Sequence, residues 1–200
     1  MPNWCSTEIA IYPATDTPKV EMQMSQMYNW LEETIRRAKK EKREFWAADL
    51  LDSLRMESKK YECRGTIESV DISQDGDYIL VSQEDAWSPH TEFWEDILAT
   101  YFPMLGYCYL AEECGNGVFI NTDDTRQIFP QEYAVNYYPD ELPEGVSYGE
   151  EGEYYYNSEK EMLEDWSKRT GRTFGTFQEL WDFAANELDY QLSINKFESA

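Results

Sequence analysis

The 200-residue chain has the composition of a folded and strongly acidic protein. Hydrophobic residues make up 42% of it and include 7 Trp, 15 Tyr and 9 Phe, which is enough apolar surface to exclude intrinsic disorder. With 17 basic and 40 acidic residues the formal net charge is −23, which disfavours direct binding of nucleic acid, because phosphate binding needs Lys and Arg. No apolar run reaches the roughly 20 residues that span a bilayer. No signal peptide is evident either, so we expect a cytoplasmic protein without membrane contact.

The charge is distributed unevenly along the chain. Residues 1–64 contain 11 basic and 11 acidic residues, whereas residues 65–200 contain 6 basic and 29 acidic residues and carry the whole net charge. A surface of one sign attracts partners of the opposite sign, so this pattern predicts a basic host protein as the partner. The alternative is that the acidity only keeps the protein soluble.

The first third of the chain predicts a strand followed by a long helix. The stretch TEIAIYP at 7–13 alternates apolar and polar residues, which is typical of a strand with one buried face. The tripeptide DTP at 16–18 predicts a helix start, and apolar residues recur at spacings of three and four over residues 20–38. A second helical pattern at 43–62 either continues this helix or forms a separate one.

The middle of the chain predicts two hairpins with a helix between them. An Asp-Gly turn joins two strands within residues 65–85, and a Gly-Asn-Gly turn joins two more within residues 106–123. Between the hairpins, Ser88 and Pro89 are expected to be the N-cap and the first residue of a helix. The later stretch EYAVNYY predicts a further strand.

This order of elements predicts an α+β fold. A β-α-β-β-α-β order is the ferredoxin-like split arrangement, in which two or more helices cover one face of an antiparallel sheet. We therefore expect a ferredoxin-like domain at residues 1–138 with a helical insertion near 40–62. An acidic loop and a small C-terminal extension of strand and helix are expected at 139–200, where two capping-box patterns predict helix starts. We expect this extension to pack on the domain.

The sequence predicts no catalytic, cofactor-binding or metal-binding residues. Ser88 and His90 would stand at the N-cap and second positions of a helix, where their side chains point apart, so a catalytic pair is not expected. His90 is then a residue of a surface turn. The four cysteines form no CxxC pair and are expected to be reduced, mostly buried thiols.

Two tryptophans, Trp4 and Trp87, admit two interpretations. We expect both in the core, at the ends of strands, because a large aromatic side chain buries much area. The alternative is an exposed aromatic platform of the kind that ferredoxin-like RNA-binding proteins use.

Two separated blocks of the sequence carry a family resemblance. The first is PNWC near the start of the chain, and the second is WSP followed by a helix, a Phe-Pro pair and a strand that ends in two acids. Both resemble the YubB-type ferredoxin-like family of plasmids, phages and other mobile elements, although Ser6 replaces a usual Asn and His90 a usual proline. The resemblance covers residues 1–125 and implies a ferredoxin-like fold and a mobile-element origin, with no chemistry to transfer. The matching residues, which we expect to be structural, are Pro2, Asn3, Trp4, Cys5, Trp87, Ser88 and Pro89.

The charge and the resemblance together predict a non-catalytic acidic binding protein. It would occupy a basic surface of a host protein, such as a nucleic-acid-binding surface, in the manner of a defence inhibitor or a DNA mimic. One alternative is a small-ligand-binding protein or enzyme with a site between the sheet and the C-terminal helices; another is a structural or self-associating domain. The oligomeric state is left open. The acids expected to contact the partner are Glu84, Asp85, Glu112, Glu113, Asp123, Asp124, Asp140, Glu141, Glu144, Glu150, Glu151 and Glu153.

Overall fold

The computed structural model describes residues 3–61, 63–139, 147–188 and 191–199, and it shows a mixed α+β protein. These ranges contain five α-helices, none of which is long and apolar enough to cross a membrane. The chain divides into two compact units between Thr122 and Asp123.

The first unit contains a five-stranded antiparallel sheet with helices inserted between its strands. The strand order is β2-β3-β1-β4-β5. This order differs from the classic four-stranded order of the ferredoxin-like split arrangement, so the structure establishes an α+β unit with an antiparallel sheet. Its elements are β1 (Trp4–Pro13), α1 (Val20–Lys40), α2 (Ala47–Ser53), a 3₁₀ turn (Ser58–Lys60), β2 (Gly65–Ile72), β3 (Ile79–Ala86), α3 (Glu92–Tyr101), β4 (Leu105–Glu113) and β5 (Val118–Asn121).

The two helical patterns in the first third of the chain form separate helices. Lys42 has a φ of 57°, in the left-handed region, and the backbone N–H of Arg43 donates to the carbonyl oxygen of Ala38 over 3.2 Å. A left-handed residue with such a backward hydrogen bond satisfies the last carbonyls of a helix. The chain therefore leaves α1 at this point, and α2 is a new helix rather than its continuation.

One face of the sheet packs against α1 and α3 and forms the core of the first unit. Alternate residues of β1, among them Ile9 and Ile11, are fully buried in this cluster because side chains alternate across a strand. The apolar pattern predicted for the long helix is confirmed along its whole length. Its buried residues are Val20, Met24, Met27, Leu31, Thr34, Ile35 and Ala38.

Helix α3 begins later than the sequence predicts. Its N-cap is Thr91 rather than Ser88, which is exposed. The backbone N–H of His90 instead donates to the buried carboxylate of Asp85 over 3.2 Å. This hydrogen bond ties the segment to the end of β3, so the first helical turn forms only after it.

The second unit contains a three-stranded antiparallel sheet and two helices, with strand order β7-β6-β8. The side-chain oxygens of Ser158 and Thr176 accept hydrogen bonds from the backbone N–H groups of Glu161 and Glu179, at 3.2 and 3.3 Å. Both predicted capping patterns are therefore confirmed as helix starts. The elements are β6 (Tyr133–Tyr137), β7 (Gly152–Tyr156), α4 (Glu159–Thr170), α5 (Phe177–Glu187) and β8 (Leu192–Lys196).

The strand that the sequence predicts at the end of the first domain belongs to the second unit. Val135 in β6 pairs with Tyr154 in β7 on one side and with Ile194 in β8 on the other. A central strand needs hydrogen-bonding partners on both edges, and β6 finds them only further along the chain. The division therefore precedes the predicted boundary at residue 138. The expected packing of the extension on the first domain stays a prediction.

Candidate binding surface

The second face of the five-stranded sheet, on the side away from α1 and α3, carries a group of carboxylates. Ser6 in β1 pairs with Glu84 of β3 on one side and with Glu112 of β4 on the other. Because neighbouring strands lie about 4.8 Å apart, the Cα atoms of these two acids are about 10 Å apart across β1. Glu8 follows two residues later on the same face of β1. We call this surface the acidic sheet face and define it by Glu8, Glu68, Asp71, Glu84 and Glu112.

Hydrogen bonds from serines fix part of this surface. The Ser82 hydroxyl donates to Oε1 of Glu8 over 2.8 Å, and Ser69 lies 3.3 Å from both the Ser82 hydroxyl and the Asp71 carboxylate. The second carboxylate oxygen of Glu8, Oε2, is buried and has no hydrogen-bond partner among the described residues. The Glu8 carboxylate is therefore held by Ser82 through Oε1, while Oε2 accepts no hydrogen bond from the described residues.

Burial and neighbouring carboxylates together raise the pKa values of Glu8 and Glu84. Burial raises the pKa of Glu8, and the charge of Asp71 adds to this, against the opposing hydrogen bond from Ser82. Burial also raises the pKa of Glu84, and the charges of Glu68, Asp85 and Glu8 add to it, outweighing a hydrogen bond from Ser6. In both residues burial is the largest cause of the rise, and the neighbouring negative charges add to it. A cationic group placed there would therefore be attracted.

No basic side chain from β2 through β5 compensates these acids. Residues 65–122 contain eleven Asp or Glu and no Lys or Arg. The basic residues of the first unit lie before residue 65, mainly at the end of α1 and after it. The sheet strands thus carry negative charge alone.

Of the twelve acids that the sequence predicts as partner contacts, the structure places Glu84 and Glu112 together on the acidic sheet face. Three others are buried and are corrections to the prediction: Asp85, Glu113 and Asp123 are 0%, 5% and 6% exposed. Asp140, Glu141 and Glu144 lie outside the described residues. The remaining four, Asp124, Glu150, Glu151 and Glu153, are exposed residues of the second unit.

Asp85 is the centre of a buried polar network. Its carboxylate accepts hydrogen bonds from the Thr7 hydroxyl at 3.2 Å, from Nε2 of Gln83 at 2.8 Å and from the backbone N–H of His90 at 3.2 Å. The oxygen of the Gln83 amide accepts from the indole N–H of Trp94 at 3.2 Å. Burial raises the pKa of Asp85, although these hydrogen bonds oppose the rise. Its charge is satisfied inside the unit, so Asp85 has a structural role.

Glu113 and Asp123 close turns. The two carboxylate oxygens of Glu113 each accept a backbone N–H, from Gly115 and Asn116, at 2.7 Å. The Asp123 carboxylate accepts from the backbone N–H groups of Thr125, Ile128 and Phe129 and from the Thr125 hydroxyl, at 2.7 to 3.1 Å. Burial alone would raise the pKa of Asp123, but these hydrogen bonds outweigh it and lower the pKa. The carboxylates of both residues thus accept hydrogen bonds from backbone N–H groups of the turns that follow them.

The two motif blocks meet at one end of the sheet. Trp4 pairs with Ala86 across β1 and β3, and the backbone N–H of Trp87 donates to the carbonyl oxygen of Asn3 over 2.9 Å. Trp4 and Trp87 are 48% and 44% exposed, so the prediction that both lie in the core is wrong. At the very end of paired strands, side chains have fewer neighbours that could cover them. Trp87 also has a φ of 76°, which is costly for a bulky side chain.

Neither His90 nor the cysteines form a reactive site in the described residues. His90 is 8% exposed, which corrects the expected surface position, and its Nε2 lies 3.2 Å from the carbonyl oxygen of Ala86. Burial raises the pKa of Cys5 to about 12 and that of Cys63 to about 11, so both thiols stay protonated at neutral pH. Cys114 is exposed, unlike the buried position expected for most thiols. In the described part of the chain no three acidic, His or Cys side chains are grouped so that they could hold a metal ion.

Sequence reasoning missed Glu8, Glu68 and Asp71 as members of the acidic sheet face. The available signal was the two-residue alternation: Ser6 and Glu8 share one face of β1, as Ser82 and Glu84 share one face of β3. Comparisons of the chain with protein families, with curated proteins and with solved structures found no match. What this surface binds has to be inferred from its chemistry.

Proposed function

We propose that this protein is a non-catalytic binding protein that occupies a basic surface of a host protein through its acidic sheet face. The observation that carries the proposal is a group of carboxylates on strands β1 to β5, none of which contains a Lys or Arg. Burial raises the pKa values of Glu8 and Glu84, and their acidic neighbours on the sheet raise them further. Lys or Arg side chains from a partner would lower both pKa values and remove this repulsion.

The basic surface that fits best is one that normally holds nucleic acid. Such surfaces present several Lys and Arg side chains to a row of phosphates, and a rigid sheet can present carboxylates in their place. The acidic sheet face lies on strands whose spacing is fixed by backbone pairing. This supports the role of a DNA mimic or defence inhibitor.

We further propose that the first unit belongs to the YubB-type ferredoxin-like proteins of mobile elements. Four of its strands run β2-β3-β1-β4, with β1 and β3 in the middle and all neighbouring pairs antiparallel, and β5 is added at one edge. The two motif blocks that carry the resemblance are joined by the hydrogen bond between Trp87 and Asn3. Their joint position at one end of the sheet supports a shared structural role.

A capture experiment with matched charge variants tests the binding function. Heparin-binding proteins of a host lysate serve as the basic probe, and the tagged protein is the bait. The triple variant E68Q/E84Q/E112Q removes three charges from the acidic sheet face. The control variant E32Q/E44Q/E57Q removes three exposed charges of the first unit that lie outside the sheet strands. We expect the first variant to lose about tenfold in capture and the control to lose little.

Two further readouts define what would contradict the proposal. Captured proteins should be released by high salt and by double-stranded DNA, because both compete for the same basic surface. Equal loss in both triple variants would show that only total charge matters. Capture that neither salt nor DNA reduces would refute the proposed surface.

The other functions remain predictions. A ligand-binding or catalytic protein would show saturable binding of a small molecule by calorimetry, with no dependence on E68Q/E84Q/E112Q. A self-associating domain would sediment as more than one copy at micromolar concentration. The cytoplasmic location also stays a prediction.

A further inference from the structure

An open groove of about 880 Å³ lies in the first unit, between the start of α1 and the turn of the β2–β3 hairpin. We call it the hairpin groove. Four carboxylates line it: Asp16 and Glu21 on the helix side, Asp75 and Asp77 on the hairpin side. No Lys, Arg or His is among its lining residues.

The floor of the hairpin groove is apolar. Val20 and Met24 of α1 are 7% and 8% exposed, so only their edges reach the groove. Ile72 is 51% exposed, although it stands at the end of β2 opposite the fully buried Ile79. An exposed isoleucine beside two further apolar side chains offers a partner a hydrophobic contact.

Backbone hydrogen bonds fix both walls of the groove. In the hairpin turn the N–H of Ser73 donates to the carbonyl oxygen of Tyr78, and the N–H of Gly76 donates to that of Ser73, both over 2.9 Å. On the other wall the N–H of Ala14 donates to the carbonyl oxygen of Met104 over 2.8 Å. Walls held in this way need little ordering when a partner binds, which reduces the entropic cost of binding.

The charge of the groove selects a cation. Among the described residues, none of the four carboxylates lies within ion-pair distance of a Lys, Arg or His. The N-terminus of α1 opposes cation binding with the equivalent of about half a positive charge, and four negative charges exceed this. The groove therefore combines a negative rim with an apolar floor.

We propose that the hairpin groove binds a basic segment of the partner protein in which an apolar side chain stands next to Lys or Arg. The apolar side chain contacts Ile72 and Met24, and the cationic side chain lies between Asp75 and Asp77 on one wall and Glu21 on the other. This inference rests on the proposed function and adds to it, because it specifies the partner's chemistry. A surface that recognised charge alone would bind a basic segment equally well with or without an apolar side chain beside the cation.

Two short synthetic peptides of equal positive charge test this, one with a central Leu and one with Ser at the same position. Their affinities are measured by fluorescence anisotropy with the full chain. We expect the Leu peptide to bind about fivefold more tightly, because part of one aliphatic side chain is buried. The variant I72S should remove this preference, whereas M22S, which changes an exposed methionine of α1 that does not line the groove, should keep it.

A charge variant and a direct measurement complete the test. D75N/D77N should weaken both peptides about tenfold, and E32Q/E57Q, which removes two exposed charges outside the groove, should change them little. Binding of the Leu peptide to the unmodified chain should shift the NMR signals of Ile72 and Gly76 most strongly, which keeps the test valid if a variant fails to fold. Equal affinity for both peptides, a preference that survives I72S, or shifts elsewhere would each overturn the inference.

The outcomes for the two proposals are distinguishable. If heparin-binding proteins are captured through the acidic sheet face while the peptides show no preference, the groove inference fails alone. If neither peptide binds and no basic protein is captured, both fail.

Discussion

Replacing Gly65 by alanine tests the buried position of Asp85 directly. Gly65 pairs with Asp85 across β2 and β3. A Cβ at residue 65 would lie 2.1 Å from Oδ1 of Asp85 and 2.7 Å from the carbonyl oxygen of Glu84. Both distances are far shorter than a van der Waals contact, so either the carboxylate or the strand has to move.

The loss of stability expected for Gly65→Ala follows from the hydrogen bonds that hold the Asp85 carboxylate. The carboxylate cannot turn away without distorting its hydrogen bonds with Thr7, Gln83 and the backbone of His90. Loss of two hydrogen bonds to a charged acceptor costs about 3 kcal/mol. We therefore expect Gly65→Ala to lower the free energy of unfolding of the first unit by about that amount.

Gly76→Ala is the control for this measurement. Gly76 has no atom within 4 Å of the added Cβ but has a φ of 79°, so only backbone strain of about 1 kcal/mol is expected. Hydrogen exchange at increasing urea concentrations, read on peptides of the first unit, separates this unit from the second. A Gly65→Ala effect no larger than that of Gly76→Ala would refute the buried network as described. In an Asp85→Ala background the cost of Gly65→Ala should fall, because only the contact with Glu84 remains.

Three further predictions use hydrogen exchange in the same way, read on peptides of the unit that carries the substitution. Glu8 has a raised pKa in the folded state, so the free energy of unfolding of the wild type falls as pH rises from 4.5 through that pKa. Glu8→Gln should lack this fall, which stays below about 1 kcal/mol because the side chain is partly solvated. An identical pH profile in both proteins would contradict the assigned shift. Asp123 has a lowered pKa, so Asp123→Asn should lower the free energy of unfolding by about 2 kcal/mol at neutral pH. This difference from the wild type should shrink as pH falls below 3.8, and a difference that stays constant would contradict the lowered pKa. Trp87→Gly should be about 1 kcal/mol more stable than Trp87→Ala, because the left-handed φ of 76° costs glycine nothing; equal stability would show that the strain is absent.

Local patterns in the sequence suffice for most elements of this protein. The spacing of apolar residues on α1 predicts its buried face, and Ser158 and Thr176 predict the starts of α4 and α5. The Asp-Gly turn predicts the β2–β3 hairpin, where Gly76 takes a positive φ. These features depend on interactions within a few residues, which is why one stretch of sequence contains the whole signal.

Tertiary structure alone decides which side chains are available to a partner. Glu84 and Asp85 are adjacent acids, yet Glu84 joins the acidic sheet face and Asp85 is fully buried. Their roles depend on which strands pair and in which register, since a one-residue shift exchanges the two faces of a strand. The same applies to Trp4 and Trp87, which meet at one end of the sheet through residues more than eighty positions apart. The sequence by itself determines that the chain is acidic and α+β; the pairing of distant strands determines where its carboxylates, its groove and its exposed tryptophans lie.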